Sequence, residues 1–175
     1  MRSAYGANEQ PICEHPATIV VDVANVMGSR PDGWWRDRAG AAVRLYADVA
    51  RLAASGRPVL PDDGTPDDGT PEDGAPGDGG APEFVMVLEG AARAAADRIG
   101  ADPSDRVRVM AAAGSGDDAI VALVRKLPGR RVVVVTADRE LRRRCEAAGA
   151  TVLGPGWLRG LLDRQHPDKE QPGNE

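Results

Sequence analysis

The sequence predicts one α/β domain of three layers, in which a parallel sheet of about five strands lies between two layers of helices. Short apolar runs alternate along the chain with segments in which apolar residues recur at helical spacing. Acidic residues follow nearly every apolar run, at the place where sheets of this kind bind ligands. A chain of 175 residues is long enough for one such core and too short for two sizeable domains.

The predicted strands are apolar runs without polar alternation, as expected for parallel strands covered by helices on both faces. The first reads TIVVD and the fourth reads RVVVVT. In chain order, the predicted strands are Thr18–Asp22, 84–88, 106–111, 131–136 and 150–153.

The segments between these runs have the apolar spacing of helices. In the first of them Ala42, Leu45, Val49 and Leu52 recur at three- and four-residue intervals, and Gly56 ends the pattern. The predicted helices are 38–55, 90–99, 117–127, 139–148 and 157–162.

Several patterns point to a cytoplasmic protein. The longest apolar runs are far shorter than the roughly 20 residues of a membrane span, and residues 1–16 lack the apolar stretch of a secretory signal. Cys13 and Cys145 lie far apart without a CxxC spacing, which argues against a disulfide framework or a zinc site. Cys145 is expected to be buried on its helix.

The negative charge is concentrated in residues 61–83, which hold eight acids and no base. The segment is a five-residue repeat that becomes less regular along the chain. We expect a disordered surface insertion there, between flexible ends at 1–16 and 163–175, with the domain spanning 17–162. Without the insertion, 19 acids stand against 22 bases, a net charge of +3. Two interpretations stay open: an electrostatic mimic that competes with a polyanion for the basic body, or a tolerated low-complexity insertion.

Acidic and amide residues follow the predicted strands, and the carboxyl ends of parallel strands meet at one edge of a sheet. Carboxylates held close together stay ionised only with a cation between them, and an all-oxygen donor set favours Mg²⁺ or Mn²⁺. Metal-assisted phosphodiester hydrolysis is the chemistry that such a site performs. The residues concerned are Asp22, Asn25, Glu89, Asp117, Asp118, Asp138 and Glu140.

A simpler interpretation is that some of these acids cap helices. Asp117 precedes a predicted helix and Asp138 opens one, and acids are favoured at both places. We expect Asp22 to escape this role because no helix is predicted directly after it.

A second motif competes with the metal site. Residues 114–119 read GSGDDA, which fits GxGxxA after a strand, and Asp138 lies 22 residues past Gly116, as in dinucleotide-binding folds. However, Asp117 and Asp118 would repel a pyrophosphate at that helix N-terminus. The motif also follows the third strand rather than the first, so a dinucleotide-binding enzyme ranks below the metal site.

The segment VDVANVMGS at 21–29 resembles the opening VDGxNvxG motif of NYN domains, a PIN-like nuclease branch that includes YacP-like ribonucleases. Residues 30–42 resemble a bacterial subset of that family. GDDAI at 116–120 and VTADREL at 135–141 are similar to its later acidic motifs.

This resemblance implies a PIN-like α/β/α fold and an endoribonuclease that uses Mg²⁺ or Mn²⁺ on single-stranded or loop RNA. By position, Asp22, Asp117 and Asp138 would be the metal-binding carboxylates, and Asn25 would orient a ligand or water. Asp118 is the second choice beside Asp117. A ribosome or another RNA-containing assembly as partner and pairing of two copies both stay open.

Val23 departs from the family pattern, which has glycine after the first aspartate. If that glycine allows close approach to phosphate, a β-branched residue would weaken substrate binding. The alternative function is therefore an RNA-binding or regulatory PIN-like module without catalysis.

The segment 29–38 joins the first strand to the first predicted helix and so reaches the same edge of the sheet. Arginines bind phosphates and aromatic rings stack on unpaired bases in single-stranded nucleic acid binding. In the simpler interpretation one tryptophan fills the core and the arginines pair with Asp32 and Asp37. The expected substrate-binding residues are Ser29, Arg30, Trp34, Trp35, Arg36, Arg38 and Arg139.

Overall fold

The computed structural model describes residues 16–56, 60, 81–100 and 105–165. The predictions for residues 1–15, for 61–80 of the acidic segment and for the tail from 166 lie outside these ranges. In the described ranges, no helix is both long and apolar enough to cross a membrane.

Five parallel strands form one sheet in the order β3-β2-β1-β4-β5, which confirms the predicted fold class. β1 is central, and the chain first builds outwards on one side and then crosses to the other, so the strand order reverses between β1 and β4. The strands are β1 Thr18–Asp22, β2 Glu83–Leu88, β3 Val107–Ala111, β4 Val132–Val135 and β5 Thr151–Leu153.

Five α-helices connect or follow these strands. Four of them agree with the predicted helices to within two residues at each end, and the fifth, α1, was not predicted. They are α1 Val23–Gly28, α2 Arg38–Ala54, α3 Gly116–Arg125, α4 Arg139–Ala147 and α5 Pro155–Asp163. Because α5 continues to Asp163, the predicted tail begins at least one residue too early.

The helix predicted at 90–99 is instead a 3₁₀ helix over Gly90–Ala95, followed by turns. Its hydrogen bonds span three residues, as in Ala92 N–H to the Glu89 carbonyl at 3.1 Å. The segment buries only two small side chains, Ala92 and Ala95. That is too little apolar surface to hold a longer α-helix.

The core has two parts, one on each face of the sheet, because successive strand side chains point to opposite faces. Ile19 and Val21 of β1 pack with α1, α2 and α5, whereas Val20 packs with α3 and α4. Cys145 of α4 is buried in the second part, as predicted, and burial raises the pKa of its thiol to about 11.

The predicted acidic insertion extends too far, because Glu83 is the first residue of β2. Glu83 lies opposite Thr18 in the register, and its N–H donates to the Ala17 carbonyl at 2.9 Å. Its carboxylate lies 3.7 Å from the Arg108 guanidinium and 3.5 Å from that of Arg130. Glu83 continues the acidic composition of the residues before it, but its pairing with β1 makes it part of the sheet.

Candidate functional site

Polar side chains gather where the central strands end, on the face of the sheet covered by α3 and α4. The alternation of side chains gives Asp22, the last residue of β1, the orientation of Val20, and it gives Thr136, the residue after β4, the orientation of Val134. Glu89 comes directly after β2 at the same edge. This is also the edge at which the strand order reverses, where open α/β sheets bind ligands.

Asp22 is buried, with 8% of its surface exposed. Its Oδ1 accepts a hydrogen bond from the Asn25 N–H at 3.1 Å, and its Oδ2 accepts one from the Thr136 hydroxyl at 2.9 Å. Asp22 is therefore the N-cap of α1, and the expectation that no helix begins after it is wrong. Each oxygen has a further acceptor site, so capping and ligand binding are compatible.

Thr136 ties the end of β4 to the end of β1. Its side chain is fully buried, and besides donating to Asp22 it accepts a hydrogen bond from the Asp138 N–H at 3.1 Å. Asp138 in turn caps α4, because its Oδ1 accepts from the Leu141 N–H at 2.8 Å. The motif analysis missed Thr136, although a hydroxyl at the end of an otherwise apolar strand was the available signal.

Asn25 joins α1 to the turn that follows β4. Its Oδ1 accepts a hydrogen bond from the Ala137 N–H at 3.1 Å. An open cleft of about 420 Å³ lies at this junction, lined by Ala24, Asn25, Gly28, Ser29 and Ala137. Of the predicted substrate-binding residues, Ser29 therefore lies beside Asn25.

The adjacent acids of α3 have different surroundings. Burial raises the pKa of Asp117, and the carboxylates of Asp138 and Glu89 raise it further. Asp118 is exposed and forms an ion pair with Arg144 of α4 at 2.6 Å. Asp117 is thus the member of the pair whose pKa is raised by the acids at the strand ends.

The pKa of Asp22 is also raised. Burial is the main cause, the hydrogen bonds from Asn25 and Thr136 oppose it, and the carboxylates of Asp117 and Glu89 add to it. Asp22 and Asp117 therefore both have an ionised form that the folded protein disfavours, partly because of neighbouring negative charge.

The carboxylate oxygens of Asp22 and Asp117 are suitable ligands for a divalent cation. Within the described ranges, no three His, Cys, Asp or Glu side chains form a group that would hold a metal. Mg²⁺, however, takes only one or two protein carboxylates and keeps several waters. A cation between Asp22 and Asp117 would also relieve the repulsion that raises their pKa values.

Glu89 contacts the start of α3. Its Oε2 accepts a hydrogen bond from the Gly116 N–H at 2.8 Å, and a Cβ on Gly116 would lie only 2.6 Å from that oxygen. A carboxylate of this chain thus occupies the helix N-terminus at which a pyrophosphate would bind. The preceding strand, β3, is at the sheet edge rather than at the switch point. Both observations weigh against the dinucleotide-binding alternative.

Val23 does not obstruct the edge where the acids lie. Its side chain is fully buried in the part of the core formed with α2 and α5, on the opposite face of the sheet from Val20. The expected loss of substrate binding through a β-branched side chain at this position therefore has no steric basis here.

The two tryptophans of segment 29–38 differ in environment. Trp34 is half-buried and packs on the core, whereas Trp35 is 51% exposed. Their ring centroids are 6.4 Å apart with an angle of 86° between the planes, and the Arg38 guanidinium lies 5.4 Å from the centroid of Trp34. The interpretation that one tryptophan fills the core applies to Trp34.

The acids of this segment bind backbone groups rather than the neighbouring arginines that we expected them to pair with. Asp32 accepts the Trp34 N–H at 3.2 Å, and Asp37 caps α2 through the Gly40 N–H at 2.8 Å. Arg30 instead forms an ion pair with Asp163 of α5. The remaining predicted substrate-binding residues, Arg36 and Arg139, are both exposed: Arg36 is the last residue of the 3₁₀ helix Trp34–Arg36, and Arg139 is the first residue of α4.

Comparison with known proteins gives two findings. A family model described as a PIN-like domain matches residues 83–160. The fold is similar to that in the crystal structure of a mutant of Rae1 (YacP) from Bacillus subtilis, with a TM-score of 0.54 and 14% sequence identity over 85% of this chain and 78% of the other. No curated protein matches the sequence. Residues 83–160 thus match a PIN-like domain, and the fold is similar to that of Rae1 (YacP), in agreement with the resemblance of the motifs to NYN domains.

Proposed function

We propose that this protein is a metal-dependent endoribonuclease that hydrolyses phosphodiester bonds in single-stranded or loop RNA. The observation that carries the proposal is the pair Asp22 and Asp117, whose pKa values are raised by burial and by neighbouring carboxylates at the switch point of a PIN-like sheet. Carboxylates whose ionised form is destabilised by their surroundings are typical of a site that functions with a bound cation.

In this proposal Asp22 and Asp117 hold Mg²⁺ or Mn²⁺, with Asp138 at their side. The bound ion would supply Lewis acidity to the phosphate and lower the pKa of a bound water. Thr136 orients Asp22 and fixes the Asp138 backbone, while Asn25 holds α1 against the turn after β4. Asp118 would join the site only by giving up its ion pair with Arg144, so we rank it below Asp117.

RNA would approach across the segment 29–38 and the start of α4. Arg36, Arg38 and Arg139 are exposed and form no ion pair with another residue in the ranges that the structure covers. Positive charge beside an acidic edge supports binding of a phosphate backbone next to a bound cation. Ser29 and Arg30 would extend this surface towards α5, and a ribosome or other assembly as the carrier of the RNA stays a prediction.

The direct test is cleavage of a labelled single-stranded RNA by the full chain with Mn²⁺ and with EDTA. Asp22→Asn and Asp117→Asn should abolish cutting, because each removes one charge that the cation needs. Glu146→Gln is the matched control, since it neutralises an exposed acid in the last turn of α4, away from the strand ends. Cutting that resists EDTA, or that persists in Asp22→Asn, would contradict the proposal.

One observation favours a second function, an RNA-binding module without catalysis. No three metal-ligating side chains form a group within the part of the chain that the structure covers. In that case RNA binding would be retained with EDTA, no turnover would occur with any divalent ion, and Asp22→Asn would bind RNA as well as the wild type.

A further inference from the structure

Trp35 is the one large apolar side chain in the described ranges whose ring is mostly exposed. Single exposed apolar residues are common on protein surfaces and need no explanation by themselves. Trp35 differs because its position, support and charged neighbours all suit one kind of ligand.

The ring of Trp35 is supported from below by Trp34. Trp34 meets it edge to face, with centroids 6.4 Å apart, and is itself packed between the core and the Arg38 guanidinium. A Cβ on Gly28 would lie 3.6 Å from the Trp34 ring, so the end of α1 closes the support on another side. A ring held in this way loses little conformational entropy when a ligand stacks on it.

The charges next to Trp35 favour an anionic ligand. Arg36 is exposed, and its side chain contacts no charged partner in the described part of the chain. Asp32 and Asp37, the two acids of the segment, accept backbone N–H groups, and among the described residues neither forms an ion pair with Arg36. The segment therefore carries an exposed aromatic ring and, at the next position along the chain, a guanidinium that forms no ion pair with a described residue, and these are the groups that bind a base and its adjacent phosphate.

The segment is also tied to the acidic edge. α1 begins at the Asp22 cap and ends one residue before Ser29, so only one short helix separates Asp22 from the segment. The ion pair between Arg30 and Asp163 fastens its start to α5.

We infer that Trp35 is a stacking platform for one unpaired base of the RNA substrate, that Arg36 binds a phosphate next to that base, and that Trp34 supports the platform without contacting RNA. This assignment rests on the proposed function and makes its substrate class specific: RNA with at least one unpaired nucleotide beside the cleaved bond. Two adjacent tryptophans thus have separate roles, one structural and one in recognition.

The experiment measures binding of a short single-stranded RNA to the full chain in EDTA, so that cleavage plays no part. Trp35→Ala should weaken binding by about 5- to 100-fold, the range for loss of one base–aromatic stack. Trp35→Phe should restore most of the affinity, and both variants should remain folded, which thermal unfolding checks. Trp34→Phe, which keeps a supporting ring, is the matched control and should bind like the wild type.

Two further readouts separate stacking from other contacts. Quenching of tryptophan fluorescence should appear with the single strand, disappear in Trp35→Ala, and be much weaker with a duplex of the same sequence. Equal affinity of the wild type and Trp35→Ala would overturn the assignment, as would equal binding of duplex and single strand, which would indicate contact with the phosphate backbone alone. Because these measurements need no metal, they can succeed or fail independently of the nuclease proposal.

Discussion

The Thr136 hydroxyl donates a hydrogen bond to Asp22 Oδ2 at 2.9 Å and so joins the ends of the two central strands. The same oxygen accepts the Asp138 N–H at 3.1 Å. One buried hydroxyl therefore positions the acids at the ends of both β1 and β4, and a change there should affect both.

Thr136→Val keeps the shape of the side chain and removes the donor. We expect the free energy of unfolding to fall by about 1–3 kcal/mol, the cost of leaving buried polar groups unsatisfied, and RNA cleavage to fall with it. Thr136→Ser keeps the hydroxyl and should retain most of the activity. Urea unfolding and cleavage rates of both variants test this, and normal activity in Thr136→Val would show that the bond is dispensable.

The raised pKa of Asp22 predicts how stability depends on pH. Because the folded-state pKa lies above the usual value of 3.8, the native state binds more protons between the two values, and stability falls as pH rises through that interval. Asp22→Asn loses one hydrogen-bond acceptor at every pH but also removes this pH dependence, so in EDTA its stability relative to the wild type should be more favourable at pH 7 than at pH 4. A relative stability that worsens as pH rises from 4 to 7 would contradict the sign.

A divalent cation should stabilise the wild type at neutral pH. At a free concentration one hundred times the dissociation constant, Mn²⁺ would add about 2.7 kcal/mol to the free energy of unfolding. Asp22→Asn and Asp117→Asn should lose most of this gain, and Glu146→Gln should keep it. Thermal unfolding with Mn²⁺ and with EDTA measures the effect, and an equal gain in Asp22→Asn would place the cation elsewhere.

Gly116→Ala should strain the start of α3, because the added Cβ would lie 2.6 Å from Glu89 Oε2. We expect a loss of about 1–3 kcal/mol of stability, as for other overpacked positions. Glu89→Ala removes the obstructing carboxylate, so the double variant should be more stable than the sum of the single changes predicts. Additive losses in urea unfolding would show that the contact does not constrain Gly116.

Deletion of residues 61–80 changes the formal net charge from −5 to +2, because the segment holds seven acids and no base. RNA binding should strengthen at low salt, where charges act over about 30 Å, and the gain should vanish near 0.15 M, where the range is about 8 Å. α2 ends before this segment at Ala54, and β2 begins after it at Glu83, which is the end of β2 opposite the edge where Asp22 lies. An affinity that is unchanged at every salt concentration would identify a passive insertion.

The sequence predicted the strands and helices whose apolar residues form a clear pattern along the chain. β1 was placed without error because all five of its residues are buried and no polar alternation interrupts them. α1 has only six residues, too few to show helical spacing, and so the capping role of Asp22 was missed with it. Glu83 was assigned to the acidic segment because composition carries no information about strand register.

The positions of the candidate residues were predictable where they follow directly from strand ends, and less so where they depend on long-range contacts. The carboxylates were found because they follow apolar runs. Which of Asp117 and Asp118 faces the other acids depends on Arg144, which lies 26 residues from Asp118 along the chain. In the sequence Thr136 looks like one more residue of a buried strand. Only the structure shows that its hydroxyl donates a hydrogen bond to Asp22 on the neighbouring strand.

The bond between Asp22 and Thr136 spans 114 positions of the chain. A ribosome that has synthesised the chain through α3 has therefore made Asp22 and Asp117 but not the donor that orients Asp22. Non-local pairings of this kind form late, because the intervening loop must close first. The nascent chain thus lacks an assembled acidic edge until β4 is available for pairing, and the proposed nuclease site stays incomplete until then.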